Sequence, residues 1–264
     1  MYSLQSLHIY PVKSCRGMAV KEMKVLFDGP DGDRLWMLVD SEGKFLSQRA
    51  YPKMATLQTH LDDLGLTIGF EKTFFKISRQ NSMKRIVPVQ IWNDKVDAAL
   101  EADLYSQAIG QYLGVNCRLV RYTPQSQRRV RSLEMDWKPE VRFADGRPLL
   151  LVNSKSVEDL NSKLEEKITF ERFRPNIVFN GDQAFQEDSW TKIKIGEVVF
   201  SQPKKCARCV MINIDQASGV SPNPSPLKTL AGYRREDKGI NFGVLWIPEN
   251  EGKITAQDTL EVLA

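Results

Sequence analysis

The chain has 264 residues, 42% hydrophobic, 27% charged and 9% aromatic, which excludes a disordered, collagen-like or membrane-spanning polypeptide and allows one large domain or two smaller ones. Its net charge of +4 is small for that length and does not by itself point to nucleic acid. Four scattered cysteines are too few for the disulfide scaffold of a small secreted domain, so a reducing compartment is expected.

The N-terminal MYSLQSLHIYPVKSC lacks a basic segment followed by an apolar stretch, and LLLV at 149–152 is too short to cross a bilayer. A cytoplasmic protein with no membrane or nucleic-acid partner is expected. In chain order, LQSLHIYPV, DRLWMLVD, the turn SEGK and FLSQ read as strands and a hairpin, and LTIGF, FFKIS, IVPVQIW and KVDAAL continue the pattern to about residue 100. Leu104, Ala108 and Tyr112, with Ile109 and Leu113 beside them, mark one face of a helix that Gly114 ends. NCRLVRY returns to strand. The polar segment from Thr123 to Pro148 contains the basic run QRRVR at 127–131, read as a solvated loop or a contact for an acidic partner.

After LLLV, Ser154 or Ser156 is the expected N-cap of a helix carrying Val157, Leu160 and Leu164. FRPNIVFNG, the hairpin IKIGEVVFSQ with Gly196 in its turn, VMINID, INFGVLWIP and ITAQDTLEVL are expected strands, with a short helix over Pro226–Arg235. Strands outnumber helices and the two do not alternate regularly, so a mainly β (α+β) fold of two barrel-like domains, 1–122 and 123–264, is expected.

KKCARCVMIN places Cys206 and Cys209 in a C-x-x-C spacing. Structural zinc needs four ligands, and no second pair of cysteines or histidines is present at a suitable spacing. A redox dithiol wants the pair at a helix N-terminus, whereas VMINID reads as a strand. A single thiolate on a soft metal, or an unremarkable buried pair, remain open.

HIYPVKSCRG, FLSQRAYPKMA, PLLLVNSKSVEDLNSKL, FRPNIVFNG, EDSWTKIKIG and KKCARCVMINIDQASG, in this order, resemble the MOSC proteins, a family of molybdenum cofactor proteins in which a MOSC N-terminal β-barrel domain precedes a MOSC β-barrel domain. The resemblance extends to the mitochondrial amidoxime-reducing component and to the bacterial YcbX type, although the chain lacks the clustered cysteines of the latter's iron–sulfur domain. It implies Mo-molybdopterin as cofactor, with no need of pyridoxal phosphate, and Cys209 as metal ligand and catalytic residue. It also implies cofactor contacts from Lys13, Ser14, Arg16, Arg49, Arg174, Asn176 and Arg208, and from a phosphate-contacting loop over Asp145, Gly146 and Arg147, where Gly146 stands in place of a hydroxyl residue. Taken singly, these charges read as solvated or ion-paired side chains, Asn176 as a turn residue, Trp190 as core and Cys15 as a small buried hydrophobe.

The activity implied is reduction of small N-hydroxylated compounds by a monomer fed from a separate iron–sulfur, flavin or haem electron carrier. The alternative is a protein that binds the cofactor or carries sulfur without reducing a substrate.

Overall fold

A computed structural model describes residues 1–79, 85–131, 139–236 and 239–264; part of the polar segment 123–148 therefore lies outside the described residues. The dominant feature is a closed barrel of seven strands. Around it run Leu149–Asn153, Ile177–Phe179, Tyr2–Ile9, Thr259–Val262, Ile193–Ile195, Val198–Arg208 and Gly239–Pro248, the last pairing back onto the first. Tyr2–Ile9 thus takes part in a barrel whose other strands all come from beyond residue 148.

Alternation builds the barrel interior: Leu4, Leu7, Phe179, Ile193, Phe200, Trp246 and Leu260 are buried together. LLLV is apolar at every position because its strand is covered on both faces. Leu149 and Leu151 point into the barrel, while Leu150 and Val152 pack with residues from helices α2 (Ser154–Asn161) and α3 (Ser225–Arg234). Trp190 lies in the barrel core, stacked on Tyr2.

The N-terminal part contributes a four-stranded sheet, ordered Trp36–Val39, Arg118–Arg121, Asp94–Leu100 and Ile86–Ile91, and a three-stranded sheet over Gln58–Asp62, Gly65–Phe70 and Thr73–Ser78. Helix α1 (Asp103–Leu113) packs between them through Tyr105, Ala108 and Ile109 and ends at Gly114 in the left-handed conformation. No helix among the described residues is long and apolar enough to cross a membrane.

Several local expectations change. Leu104 faces solvent, because Tyr105 occupies the inward position. FLSQ makes only one isolated bridge, Phe45 to Val39, and Lys44 of the preceding turn makes another, to Gln90. The N-cap of α2 is Asn153, whose side chain accepts from the Lys155 amide, and the helix stops before Leu164. VMINID is not a strand: Val210–Asn213 is a 3-10 turn following the long strand. In the basic run 127–131, Arg128 is buried; it pairs with Asp94 and donates to the carbonyls of Arg142 and Ala144, which anchors the following loop.

Candidate active-site cleft

The strand Val198–Arg208 carries Cys206 near its end, and its bulges, between Ser201 and Lys204 and between Lys205 and Ala207, re-aim its side chains as it leaves the barrel. Cys209 follows at once, exposed, in extended backbone (φ −125°, ψ −175°). Both cysteines are free thiols, Cys206 half-buried and Cys209 exposed, so no disulfide joins them. Among the described residues no cluster of three or more His, Cys, Asp or Glu side chains is placed to hold a metal.

The two sulfurs line a cleft of about 280 Å³, near the lower end of ligand-pocket sizes. Of the residues expected at a site, Lys13, Ser14, Asp145, Gly146, Arg147, Arg174, Asn176, Arg208 and Cys209 meet there. Arg16 and Arg49 do not. Arg16 is exposed and lines a separate cavity of about 360 Å³ with Glu171 and Asp215. Arg49 lies over the Trp92 ring, 4.4 Å from its centroid, and Trp92 in turn donates to Asp145 at 3.0 Å.

Ser14 (φ 65°), Arg34 (φ 47°) and Arg174 (φ 59°) all take left-handed backbone on this wall, a conformation that non-glycine residues adopt at a cost and that gathers at functional sites. Lys13 is buried; its ammonium donates to the Phe143 carbonyl at 2.9 Å and is paired with Asp145. Burial lowers the Lys13 pKa, and Asp145 opposes that effect. The surrounding cleft wall opposes ionisation of Asp145 although its side chain reaches solvent, but the Lys13 charge and the hydrogen bonds from Lys13 and Trp92 together hold this carboxyl below the usual range.

The cations differ in how far they are engaged. Arg208 spends three donors on the carbonyls of Phe242 and Phe173, at 2.7–3.0 Å, and so ties the strand end to the barrel. Asn176 is saturated: its oxygen accepts from Leu150 and Arg34, and its amide donates to His8 and Asp33. Asn176 thus lines the cleft with both of its amide hydrogens already bonded within the protein. Arg174 lies against the Tyr10 ring and donates to the Cys15 carbonyl at 2.6 Å, but its buried Nη2 has no partner among the described residues. Arg147 is only 6% exposed, and its buried Nε and Nη1 likewise have no partner among the described residues. Burial alone lowers Arg147 to about 10, and burial with the nearby Arg34 charge lowers Arg174 to about 10.

A buried guanidinium without a counter-ion is costly unless a ligand supplies the anion. The cleft therefore suits an anionic group at Arg147 and Arg174 and a soft metal at the exposed Cys209 thiol. Cys206 is half-buried, and burial raises its thiol pKa while Arg208 partly offsets the rise.

The sequence reading missed Arg34 and Arg172, which also line the cleft. Arg34 follows the turn GPDGD and reaches Asp33, Asn176 and the Arg174 carbonyl. Arg172 precedes Phe173 and donates to the Asn213 carbonyl at 2.8 Å. The alternation of Arg172 and Arg174 around Phe173 is the one local signal that could have flagged the pair.

Residues 1–116 match the family described as MOSC N-terminal beta barrel domain, and residues 138–261 match the MOSC domain. The chain is 29% identical to mitochondrial amidoxime-reducing component 1 of Mus musculus, across 99% of this chain and 82% of the relative, and 29% identical to its human counterpart across 99% and 83%. It is 33% identical to a molybdenum cofactor sulfurase of Oryza sativa subsp. japonica across 98% of this chain, and spans only 34% of that protein.

Proposed function

Because the chain belongs to the MOSC family, joining a MOSC N-terminal β-barrel domain to a MOSC domain, we propose that it is a molybdenum cofactor-dependent oxidoreductase of small N-hydroxylated compounds. Amidoximes, hydroxylamines and hydroxylated bases form the substrate class. The net reaction converts N–OH, two protons and two electrons into N–H and water, with electrons from a separate carrier protein. When bound, the cofactor supplies the two-electron chemistry at oxygen.

The observation that carries this reading is the pairing, in one cleft, of the unpartnered buried Arg147 with the exposed Cys209 thiol. Cys209 would ligate the metal as thiolate. Arg147 and the free Nη2 of Arg174 would hold the cofactor's phosphate, with Gly146 offering backbone rather than a hydroxyl. Lys13, held by Asp145, adds positive charge to the same wall. Arg208 and Asn176 fix that wall without spending their bonded donors on a ligand. The protein would work in the cytoplasm.

Anaerobic reduction of benzamidoxime by metal-loaded protein, with reduced viologen as donor, tests the proposal. Turnover lost on Cys209→Ala supports it; no turnover by the parent, or full turnover by the variant, overturns it.

The similarity to molybdenum cofactor sulfurases supports a second reading, in which the same cleft binds the cofactor or carries sulfur on Cys209 without reducing a substrate. A Mo(V) paramagnetic signal that responds to benzamidoxime separates the two, since a carrier gives none.

A further inference from the structure

Gln48 and Gln216, separated by 168 positions, are buried against each other, 0% and 9% exposed. Their carboxamides form a reciprocal pair: Gln48 Nε2 donates to Gln216 Oε1 at 3.0 Å, and Gln216 Nε2 donates to Gln48 Oε1 at 2.9 Å. The second N–H of each amide goes to a main-chain carbonyl, that of Ser14 at 2.8 Å from Gln48 and that of Ile214 at 3.1 Å from Gln216. All four amide donors are thereby satisfied, the condition under which two buried carboxamides are tolerated.

The first carbonyl belongs to a residue that lines the cleft, and the second closes a turn whose residues line it. Ser14 follows Lys13 in strained left-handed backbone. Ile214 ends the 3-10 turn that starts at Cys209 and carries Met211 and Ile212 of the lining. The same two segments are also tied to one further segment, Arg174 donating to the Cys15 carbonyl and Arg172 to the Asn213 carbonyl. The glutamine pair joins the two segments directly. The loop bearing Gln216 is seated beside it, with Gly219 so close to the Pro52 carbonyl that a Cβ there would lie 3.1 Å from it.

We propose that Gln48 and Gln216 are positioning residues that set the separation between the Ser14 wall and the Cys209 turn, and with it the mouth of the cleft. The inference takes its functional meaning from the molybdenum reading above, but its test does not depend on that reading. Each residue acts through a backbone carbonyl.

The test compares Gln48→Leu, Gln216→Leu and the double variant in the full chain by two measurements. These are the rate at which a small maleimide modifies Cys209, located by mass spectrometry, and hydrogen exchange over residues 12–16 and 209–214. Each single variant is expected to change the Cys209 rate at least threefold and to speed exchange in both segments. The double variant is expected to match the singles within about twofold, because either change breaks the same pair. Exchange that rises only in the segment bonded to the substituted residue, rates that multiply in the double variant, or an unchanged Cys209 rate overturns the proposal. If a leucine variant does not fold, Gln216→Asn, which keeps the amide and shortens its reach, serves the same measurements with the same outcomes. A parent chain that binds no pterin counts against the molybdenum reading, while thiol reactivity and exchange still decide the positioning role.

Discussion

The ammonium of Lys13 meets the carboxylate of Asp145, 132 positions later, and that same carboxylate oxygen accepts from the Trp92 indole at 3.0 Å. The pair couples the end of the first barrel strand to the loop that carries Arg147. Asp145→Asn removes the charge that supports the buried ammonium, so the Lys13 pKa falls further. A lysine with a depressed folded-state pKa binds fewer protons folded than unfolded, so its penalty is greatest below the folded pKa and fades as pH rises towards the unfolded value. Asp145→Asn should therefore cost about 1 kcal/mol near neutral pH, a modest figure because Asp145 faces solvent. Denaturant midpoints at pH 7 and pH 9.5 check this; the deficit should shrink at the higher pH.

Cys206 and Cys209 should respond unequally to replacement. Cys209→Ser is expected to remove at least nine-tenths of the bound molybdenum and of benzamidoxime turnover, whereas Cys206→Ser should retain most of both. Metal analysis alongside turnover makes the comparison, and equal losses would revive the dithiol interpretation.

Arg147→Met should act in opposite directions on the empty and the loaded protein. It removes unsatisfied buried donors, a type of group that costs about 1–3 kcal/mol, so the cofactor-free chain should melt several degrees higher. Pterin retention should fall at least tenfold. Thermal melts and pterin fluorescence on the same samples give both readings.

Glu187 is fully buried, with Asn153 Nδ2 at 3.2 Å and Ser156 Oγ at 3.4 Å. Burial pushes its carboxyl up from 4.5 to about 7, and the hydrogen bonds from Asn153 and Ser156 only partly counter that. The folded state thus binds the extra proton, so this contribution to stability is fully present below pH 4.5 and is lost as pH rises through about 7. Glu187→Gln should be close to neutral near pH 4.5 and gain on the parent by about 3 kcal/mol by pH 8. Urea titrations at the two pH values check the sign.

Alternation and turns made most of the strands legible, because Leu7 and Ile9, or Ile193 and Ile195, are buried at the positions their spacing implies, whereas Leu4 joins them only through a bulge before Ser6. LLLV was readable as buried, but not its placement between the barrel interior and two helices, which only tertiary packing decides. VMINID misled because Ile212 and Ile214 are buried in a 3-10 turn, where their apolar spacing imitates a strand. At the cleft, resemblance placed Cys209 and Arg147, whereas nothing local separates the engaged Arg208 and Asn176 from the unsatisfied Arg147. That distinction depends on carbonyls of Phe242, Phe173 and His8 that are distant in the chain. The Gln48 and Gln216 pair left no sequence signal, since an isolated glutamine reads as surface.

Strand Tyr2–Ile9 pairs with Thr259–Val262, Tyr2 lying opposite Leu260. During synthesis, Tyr2–Ile9 therefore emerges from the ribosome long before one of its two barrel neighbours in the ring exists. Its apolar side chains must wait for Thr259–Val262, and a ring that needs such distant partners closes late and slowly. Until that closure the strand leading to Lys13 and Ser14 lacks one of its neighbours, so the cofactor proposed for the cleft would be captured only after Thr259–Val262 is made.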